Sequence, residues 1–319
     1  MDKIFKSKMA TLVTTILCTL LWGSAFPMLK IGYALFAIPA QDVFSKMVFA
    51  GLRFFFAGFV VMALNRVLNP GDGIRWHKSY GRWILLLTFF GTVIQYFFFY
   101  IGVGNTTGIK GSIFATAGTF MVVIFAPLFF KRDRMNGWKV LGLVCGFAGI
   151  FMSALNGGVQ GLNLDFSLQG EGFLLLAGLG DAGGALVGKY LSDKMNPFHF
   201  SFFQMSLGGL VLLVVGGVWG TFAGGIHLTF TPAGVALLAY AALLSGVAFS
   251  LWNVLLRYND ASAVTAFKFL IPVFGSLLSV IFLSERFTAF IIGGLAFAAL
   301  GIFLVNRPAK SGGDGGKKS

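Results

Sequence analysis

Apolar segments of helical length recur along almost the whole chain, and short polar connections separate them. Ten such segments can be delimited, each close to the roughly 20 residues that a helix needs to cross a bilayer. Their approximate bounds are 10–34, 43–67, 83–103, 109–130, 138–155, 170–191, 200–222, 233–256, 262–283 and 288–306. The pattern predicts an all-α integral membrane protein with ten transmembrane helices.

The composition agrees with a chain that uses the lipid bilayer as its solvent. Hydrophobic residues make up 57% of the sequence and charged residues only 11%, whereas soluble domains contain about a quarter charged residues. Cys18 and Cys145 both fall inside apolar segments and give neither a disulfide framework nor a metal-binding spacing. We therefore expect no cofactor and no metal. The first apolar segment is too long for a signal-peptide core, so we expect no cleavage.

The net charge of +13 is explained by topology. If the N-terminus is cytoplasmic, most of the 24 lysines and arginines fall in the cytoplasmic connections and tail, as the positive-inside rule requires. Lys30, Lys46, Lys110 and Arg286 are assigned to the opposite side. We expect a multi-pass protein of the cell membrane with both termini cytoplasmic, and no nucleic-acid partner.

The second half of the sequence repeats the first at nearly constant offsets. A shift of 152 residues places Asp133-Arg134 on Glu285-Arg286, and a shift of 159 places 22–30 on 181–189. Each half then holds five helices, an odd number, so the halves face opposite ways. Inverted repeats with a site between them are typical of secondary transporters. The predicted division is a first repeat over 10–155, a linker over 156–169, a second repeat over 170–306 and a flexible cytoplasmic tail over 307–319.

Three charged residues fall well inside predicted spans, where charge is expensive unless it faces protein or water. Arg53 is either a carboxylate contact for a substrate or a structural contact to helix-end carbonyls. Asp181 either couples transport to protons or contacts substrate, or it forms a fixed ion pair with Arg53 or Lys268 or a hydrogen bond to a neighbouring helix. Lys268 either lies at the site or extends to the interface, and Pro272, four residues later, is expected to kink the helix and to suit a gate.

Polar amides next to aromatic residues add further candidates. Gln95 and Tyr96 in the third segment match Trp252 and Asn253 in the eighth at similar depth. They suit a small amphipathic ligand, or they serve as hydrogen bonds between helices. Trp22 is either a cavity wall or a packed aromatic. The small residues of the fifth and tenth segments predict close packing between those two helices; they are Gly142, Gly146, Gly293, Gly294 and Ala298.

Several of these motifs resemble those of the EamA-type members of the drug/metabolite transporter superfamily. The sequence from Leu20 to Pro27 is similar to the family's opening helix, and Leu52-Arg53-Phe54 is similar to its second. The stretch from Pro272 to Arg286 resembles the end of its second repeat. The resemblance covers nearly the whole chain and implies ten helices, two EamA repeats, and export or exchange of small metabolites. Asp181 departs from the family, in which an aromatic residue is usual in this region.

These observations predict a secondary active transporter that moves an amino acid or related carboxylate-bearing metabolite by alternating access, with protons as a candidate coupling ion. Export is implied only by the resemblance. The alternatives left open are a carrier or exchanger for organic cations or drugs, a channel, and a non-transporting membrane scaffold or enzyme. The sequence has no His-Glu-x-x-His, Gly-x-Ser-x-Gly or P-loop motif, which argues against an enzyme. It leaves the substrate, the direction, and a monomer or homodimer undecided.

Overall fold

The structure, a computed structural model, describes residues 7–130, 135–158, 161–259 and 264–307. Two features of the sequence lie outside these ranges: the Asp133-Arg134 copy of the repeated pair, and the predicted tail from residue 308 onward. The predicted linker is described apart from residues 159–160.

The described chain forms ten apolar helices of ten or more residues. They are α1 (Lys8–Leu35), α2 (Val43–Leu68), α3 (Lys78–Gly104), α4 (Gly108–Phe129), α5 (Gly137–Ser153), α6 (Leu168–Ser192), α7 (Pro197–Phe222), α8 (Pro232–Tyr258), α9 (Phe267–Leu283) and α10 (Ala289–Val305). Seven are long and apolar enough to cross a membrane, and α5, α9 and α10 are shorter. The predicted all-α membrane fold with ten helices is confirmed, with ends that move by a few residues.

Local capping explains where several helices begin. The capping side chain accepts a hydrogen bond from the backbone amide three residues later in α2, α4, α5, α8 and α10, and the capping residues are Asp42, Thr107, Asn136, Thr231 and Thr288. Such caps satisfy amides that have no partner within the helix. A proline also begins α7 and α8, a position at which its missing amide costs nothing.

The helix pairings follow the two halves of the sequence. The most extensive contacts join α2 to α7 and α5 to α10, which are equivalent helices of the two repeats. The other large contacts come in matched pairs: α1 with α9 corresponds to α6 with α4, and α1 with α8 corresponds to α6 with α3. In each matched pair of contacts, every helix of one contact is replaced by its equivalent from the other repeat. Such pairing is expected of two five-helix repeats related by a pseudo-two-fold axis.

The α5–α10 contact is the close packing that the small residues predict. A Cβ added to Gly149 would lie 2.5 Å from the Ala298 amide nitrogen, and one added to Gly301 would lie 2.6 Å from the Gly146 amide nitrogen. Only glycine allows the two backbones to approach this closely. Helices α5 and α10 therefore form one tightly packed unit.

Two equivalent helices, α4 and α9, are irregular. Helix α4 is interrupted between Gly108–Phe114 and Ala117–Phe129. A 3₁₀ turn, Ala266–Phe269, overlaps the start of helix α9 and precedes its α-helical part, Leu270–Leu283. Pro272 is the third residue of that α-helix, so the irregular backbone lies around Lys268, where the sequence predicts it; a gating role for Pro272 stays a prediction.

The linker between the repeats forms a short β-hairpin, which the sequence interpretation did not include. Leu155–Gly158 pairs with Gly161–Leu164 as antiparallel strands, with Leu155 opposite Leu164. Helix α6 then begins with a π-helical turn, Leu168–Gly172. The strand pairing gives hydrogen-bond partners to backbone amides and carbonyls that would bond to water in an irregular connection.

Candidate functional site

Two hydrogen bonds between different parts of the chain mark one end of the helix bundle. Thr11 in α1 donates to Asn259 after α8 at 3.1 Å, and Thr265 donates to Asn306 after α10 at 2.5 Å. We call this end, where α1 begins and α10 ends, the termini side, and the other end the opposite side.

A cavity of about 1140 Å³ is lined by residues of both repeats. At its shallow end it reaches Asn136, Asp193 and Arg307, which lie at helix ends on the termini side. At its deep end it stops at Phe26 and Ser112. The cavity therefore opens on the termini side, and its volume is ample for a small organic molecule with water.

All eight residues that the sequence singles out as substrate contacts line this cavity. They are Trp22, Arg53, Gln95, Tyr96, Asp181, Trp252, Asn253 and Lys268. Pro272 is buried, and its neighbour Ile271 contributes to the wall instead. The fold thus brings together residues from α1, α2, α3, α6, α8 and α9; contact of any of them with a substrate stays a prediction.

Arg53 is the most buried charge of the cavity, with 1% of its surface exposed. Its Nε donates to Ser245 Oγ at 2.7 Å, and one terminal nitrogen donates to Tyr100 Oη at 3.3 Å. The guanidinium lies over the Phe54 ring, 5.0 Å from its centre. In the described chain no carboxylate oxygen lies within ion-pair distance of Arg53. Neutral groups therefore hold the guanidinium, whose charge is left for an anion in the cavity.

Lys268 and two tryptophans form a second wall. The Lys268 ammonium lies 5.6 Å from the centre of the Trp252 ring, and Trp252 lies 5.0 Å from Trp22, ring centre to ring centre. Phe249 packs edge-on to Trp22 at 5.3 Å. The buried Trp22 Nε1 has no hydrogen-bond partner among the described residues. The wall therefore combines aromatic faces, one cation and one unused donor.

Asp181 supplies a carboxylate on the α6 side of the cavity. Its Oδ1 accepts a long hydrogen bond of 3.5 Å from Gln95 Nε2. The side chain rests against the backbone of α4, where a Cβ added to Gly118 would lie 2.5 Å from Asp181 Oδ2. Ion pairs of Asp181 with Arg53 or Lys268, which the sequence left open, do not form among the described residues. The Asp181 carboxylate therefore has one long hydrogen bond to an amide, and no cation of the described residues lies within ion-pair distance of it.

A local irregularity in α3 precedes Gln95. Residues Phe89–Ile94 are π-helical, and regular α-helix resumes at Gln95. A Cβ added to Gly184 would lie 2.5 Å from Gly91 Cα, and Gln204 Nε2 donates to the Gly91 carbonyl at 3.3 Å. π-Helical turns inside α-helices are frequent at functional sites, and this one lies where α3 meets α6 and Gln95 meets Asp181.

Two other predicted residues also have structural contacts. Asn253 Nδ2 donates to Ser201 Oγ of α7 at 3.0 Å. The Tyr96 ring lies 4.1 Å from the Phe54 ring, centre to centre. Both residues thus fill the packing role that the sequence interpretation offered as an alternative, while they still line the cavity.

On the opposite side the two repeats are closed against each other. The Glu285 carboxylate, in the loop after α9, accepts hydrogen bonds from the Gly108 and Ile109 amides at 2.6 and 2.8 Å. One turn further in, Ser112 Oγ lies 3.2 Å from Ser276 Oγ. These contacts join the start of α4 to the end of α9, and they separate the cavity from the opposite side.

Sequence reasoning missed a second polar cluster on that side. Lys110 Nζ lies 2.6 Å from Asp165 Oδ2 and 3.9 Å from Glu171 Oε1. Glu171 also accepts a hydrogen bond from Thr106 Oγ1. Lys110 and Lys46, counted above as charges of opposite-side connections, are buried residues of helices α4 and α2. In the sequence, Lys46 is the fourth residue of the segment 43–67 and Lys110 is the second residue of the segment 109–130. These positions inside apolar segments were the available signal.

Comparisons with known proteins agree with this architecture. The profile of the EamA-like transporter family matches residues 9–155 and 168–307. An uncharacterized transporter of Archaeoglobus fulgidus is 26% identical over 296 residues, covering 90% of this chain and 94% of the relative. The uncharacterized transporter YvbV of Bacillus subtilis is 25% identical over 321 residues, covering 98% of this chain and 95% of the relative.

A solved structure shows the same fold. It superposes with a TM-score of 0.66 at 13% identity, and the match covers 93% of this chain and 96% of the other.

Proposed function

Because the chain belongs to the EamA-like transporter family, we propose that it is a secondary active transporter that moves a small carboxylate-bearing metabolite across the cell membrane by alternating access. The proposal places both termini in the cytoplasm, following the distribution of Lys and Arg. The cavity then faces the cytoplasm and takes up substrate there for export. The open termini side and closed opposite side correspond to one of the two states that such a cycle requires.

The observation that supports a carboxylate most strongly is the environment of Arg53. Its guanidinium is 1% exposed, lines the cavity, and has neutral partners only among the described residues. An arginine buried without a carboxylate is costly, and a ligand carboxylate would supply the missing charge in a bidentate arrangement. Lys268, over Trp252, adds a further positive charge to the cavity.

Asp181 and the aromatic wall extend the proposal to an amino acid. A substrate ammonium group would pair with the Asp181 carboxylate, which has only the long Gln95 contact, while Trp22 and Trp252 would pack against an apolar side chain. Protonation of Asp181 would release that ammonium group, so the same residue could couple transport to protons. The cavity lining contains five cations and two carboxylates, and this excess of positive charge favours a zwitterion or anion over a simple cation; the charged residues are Arg53, Lys139, Lys189, Lys268, Arg307, Asp181 and Asp193.

A second candidate is an organic cation. The paired rings of Trp22 and Trp252, 5.0 Å apart, and the Asp181 carboxylate would suit a cation held by aromatic faces. This candidate leaves Arg53 without a ligand, and the two candidates therefore differ in the effect of Arg53 substitutions.

Thermal unfolding of the purified protein against a panel of amino acids, organic acids and organic cations tests the choice. A ligand at 100 times its Kd stabilises the folded state by about 2.7 kcal/mol. We expect a rise in Tm with amino acids or organic acids that Arg53→Gln abolishes and Arg53→Lys reduces, because lysine keeps the charge but loses the planar fork. Lys78→Gln, outside the cavity, is the matched control. Stabilisation by organic cations alone, unchanged in Arg53→Gln, would favour the second candidate.

A further inference from the structure

Lys46 is a buried cation that does not line the cavity. It lies in the first turn of α2, and only 1% of its surface is exposed. Its ammonium donates to the Ala40 carbonyl and lies 5.4 Å from the centre of the Tyr33 ring. In the described chain no carboxylate oxygen is within ion-pair distance, although an ammonium group offers three donors.

The nearest acidic side chain on the same element is already engaged. Asp42 accepts hydrogen bonds from the Ser45 amide at 2.9 Å and from Ser45 Oγ at 2.7 Å. It also lies 2.9 Å from His227 Nδ1. Lys46 is thus held by one carbonyl and one aromatic face, and Asp42 attracts it only from beyond ion-pair distance. It lacks the close counter-ion that so buried a charge requires.

The spacing of Lys46 relates it to the substrate site. Lys46 and Arg53 are seven residues apart in α2, which is about two turns and 10.5 Å along one face of the helix. Arg53 faces the cavity, and Lys46 lies nearer the opposite side, where α2 begins. Helix α2 therefore presents two buried cations, one above the other, each without a carboxylate partner in the described chain.

Three aromatic residues, which we call the aromatic plug, lie between these two cations. The plug consists of Tyr33, Phe49 and Tyr100, whose ring centres are 5.8 to 6.3 Å apart. Tyr33 Oη donates to the Tyr100 carbonyl at 2.7 Å. Arg53 donates to Tyr100 Oη, and Lys46 lies over the Tyr33 ring, so each cation touches one face of the plug.

We propose that Lys46 is a second anion site, on the exit side of the aromatic plug, which receives the substrate's anionic group once the opposite side opens. The inference rests on the proposed function, because it needs a pathway that continues from Arg53. Separation of Tyr33 in α1 from Tyr100 in α3 would join the two cations into one route. Lys46 would then complete a positively charged path that Arg53 begins.

Charged thiol reagents test this site without a substrate. Gly104 is a suitable reporter, since a Cβ there would lie 2.7 Å from Lys46 Nζ, the movable end of a flexible side chain. Gly104→Cys, in a background with Cys18 and Cys145 replaced by alanine, is reacted in oriented vesicles from the opposite side. The probes are a negatively charged sulfonatoethyl methanethiosulfonate and its positively charged trimethylammonium analogue.

Relative to the rates of the two reagents with a small free thiol, we expect the sulfonate reagent to react at least tenfold faster than the ammonium reagent. Lys46→Met should remove this preference, and Lys46→Arg should keep it. Arg286→Gln, which removes an exposed charge on the same side, is the control for the general surface potential. A preference unchanged in Lys46→Met, or no reaction from the opposite side even when Glu285→Gln is added, would overturn the proposal. Failure of the substrate panel with Arg53 variants would instead contradict the proposed function, since this test uses no substrate.

Discussion

The Glu285 carboxylate caps the helix that begins at Gly108, with Oε1 2.6 Å from the Gly108 amide nitrogen. The residue belongs to the second repeat and the helix to the first, so the cap is also a bond between the two halves. A carboxylate at a helix N-terminus is stabilised by the free amides and by the helix dipole. In an alternating-access cycle, this bond is available only while the opposite side is closed.

Glu285→Gln should therefore weaken the closed state. The amide keeps the size of the side chain but loses the charge, a change of about 1 kcal/mol for a capped helix terminus. We expect a cysteine at the buried Ser276, between α4 and α9, to react several times faster with a thiol reagent added to the opposite side. The measurement is the labelling rate in a background without Cys18 and Cys145.

Arg286→Gln is the matched control for that experiment. It changes the next residue, which is exposed, and should leave the labelling rate of Ser276→Cys unchanged. Equal rates in Glu285→Gln and the parent protein would mean that this cap does not hold the opposite side closed.

Glu171 and Asp165 should differ in their importance for stability although both face Lys110. Glu171 is 2% exposed and also accepts a hydrogen bond from the Ser167 amide at 2.8 Å, whereas the Asp165 side chain is 62% exposed. We expect Glu171→Gln to lower the stability by about 1–3 kcal/mol, because buried partners lose a charged acceptor. Asp165→Asn should cost about 1 kcal/mol or less. Thermal unfolding in detergent compares the two, and the reverse order would refute this assignment.

Asp42 should make stability depend on acid pH. Its burial opposes ionisation, but hydrogen bonds from Ser45 and His227 outweigh that effect and lower the pKa of the carboxyl below its ordinary 3.8. A pKa lower in the folded state stabilises the protein above the unfolded value, and the contribution is lost as the pH falls through the folded value. We expect Tm to decline below about pH 4 and to decline less in Asp42→Asn. An equal decline in the parent protein and in Asp42→Asn would contradict the prediction.

Two helical glycines, one inside the α5–α10 contact and one outside it, should respond differently to substitution by alanine. Gly149→Ala should destabilise by about 1–3 kcal/mol, because its Cβ would overlap the α10 backbone at Ala298. Gly217→Ala, in α7, meets open space and should be neutral or stabilising by about 0.5–1 kcal/mol, since alanine restricts the unfolded chain. Denaturation of both variants in the same detergent measures the difference. Similar stabilities of the two variants would show that the α5–α10 contact accommodates an added methyl group despite its short backbone distances.

Much of this architecture follows from the sequence because membrane segments are specified by local composition. The ten spans, the inverted halves and the glycine contact between α5 and α10 depend on hydrophobicity, charge placement and small residues, which the chain displays directly. The cavity residues were also accessible to this reasoning: Arg53, Asp181 and Lys268 are charges inside spans, and such charges must face protein or water.

Other features depend on distant contacts that the sequence does not display. Lys46 looks like a charge at a helix end until the fold places Tyr33 and Ala40 around its ammonium group. Glu285 and Gly108 are 177 residues apart, and no local pattern announces that one caps the other. The π-helical turn before Gln95 likewise lies where Gly91 of α3 packs closely against Gly184 of α6.

Counterflow in proteoliposomes with a reversible lock tests the central claim, alternating access between the two repeats, most directly. Ser112→Cys with Ser276→Cys places two thiols where the hydroxyl oxygens are now 3.2 Å apart, in a background without Cys18 and Cys145. Vesicles loaded with unlabelled amino acids receive a radiolabelled amino-acid mixture. The account predicts uptake by the reduced protein, loss of uptake on oxidation, and recovery with dithiothreitol, because the disulfide holds the opposite side closed. Equal uptake by the oxidised and reduced proteins would contradict it.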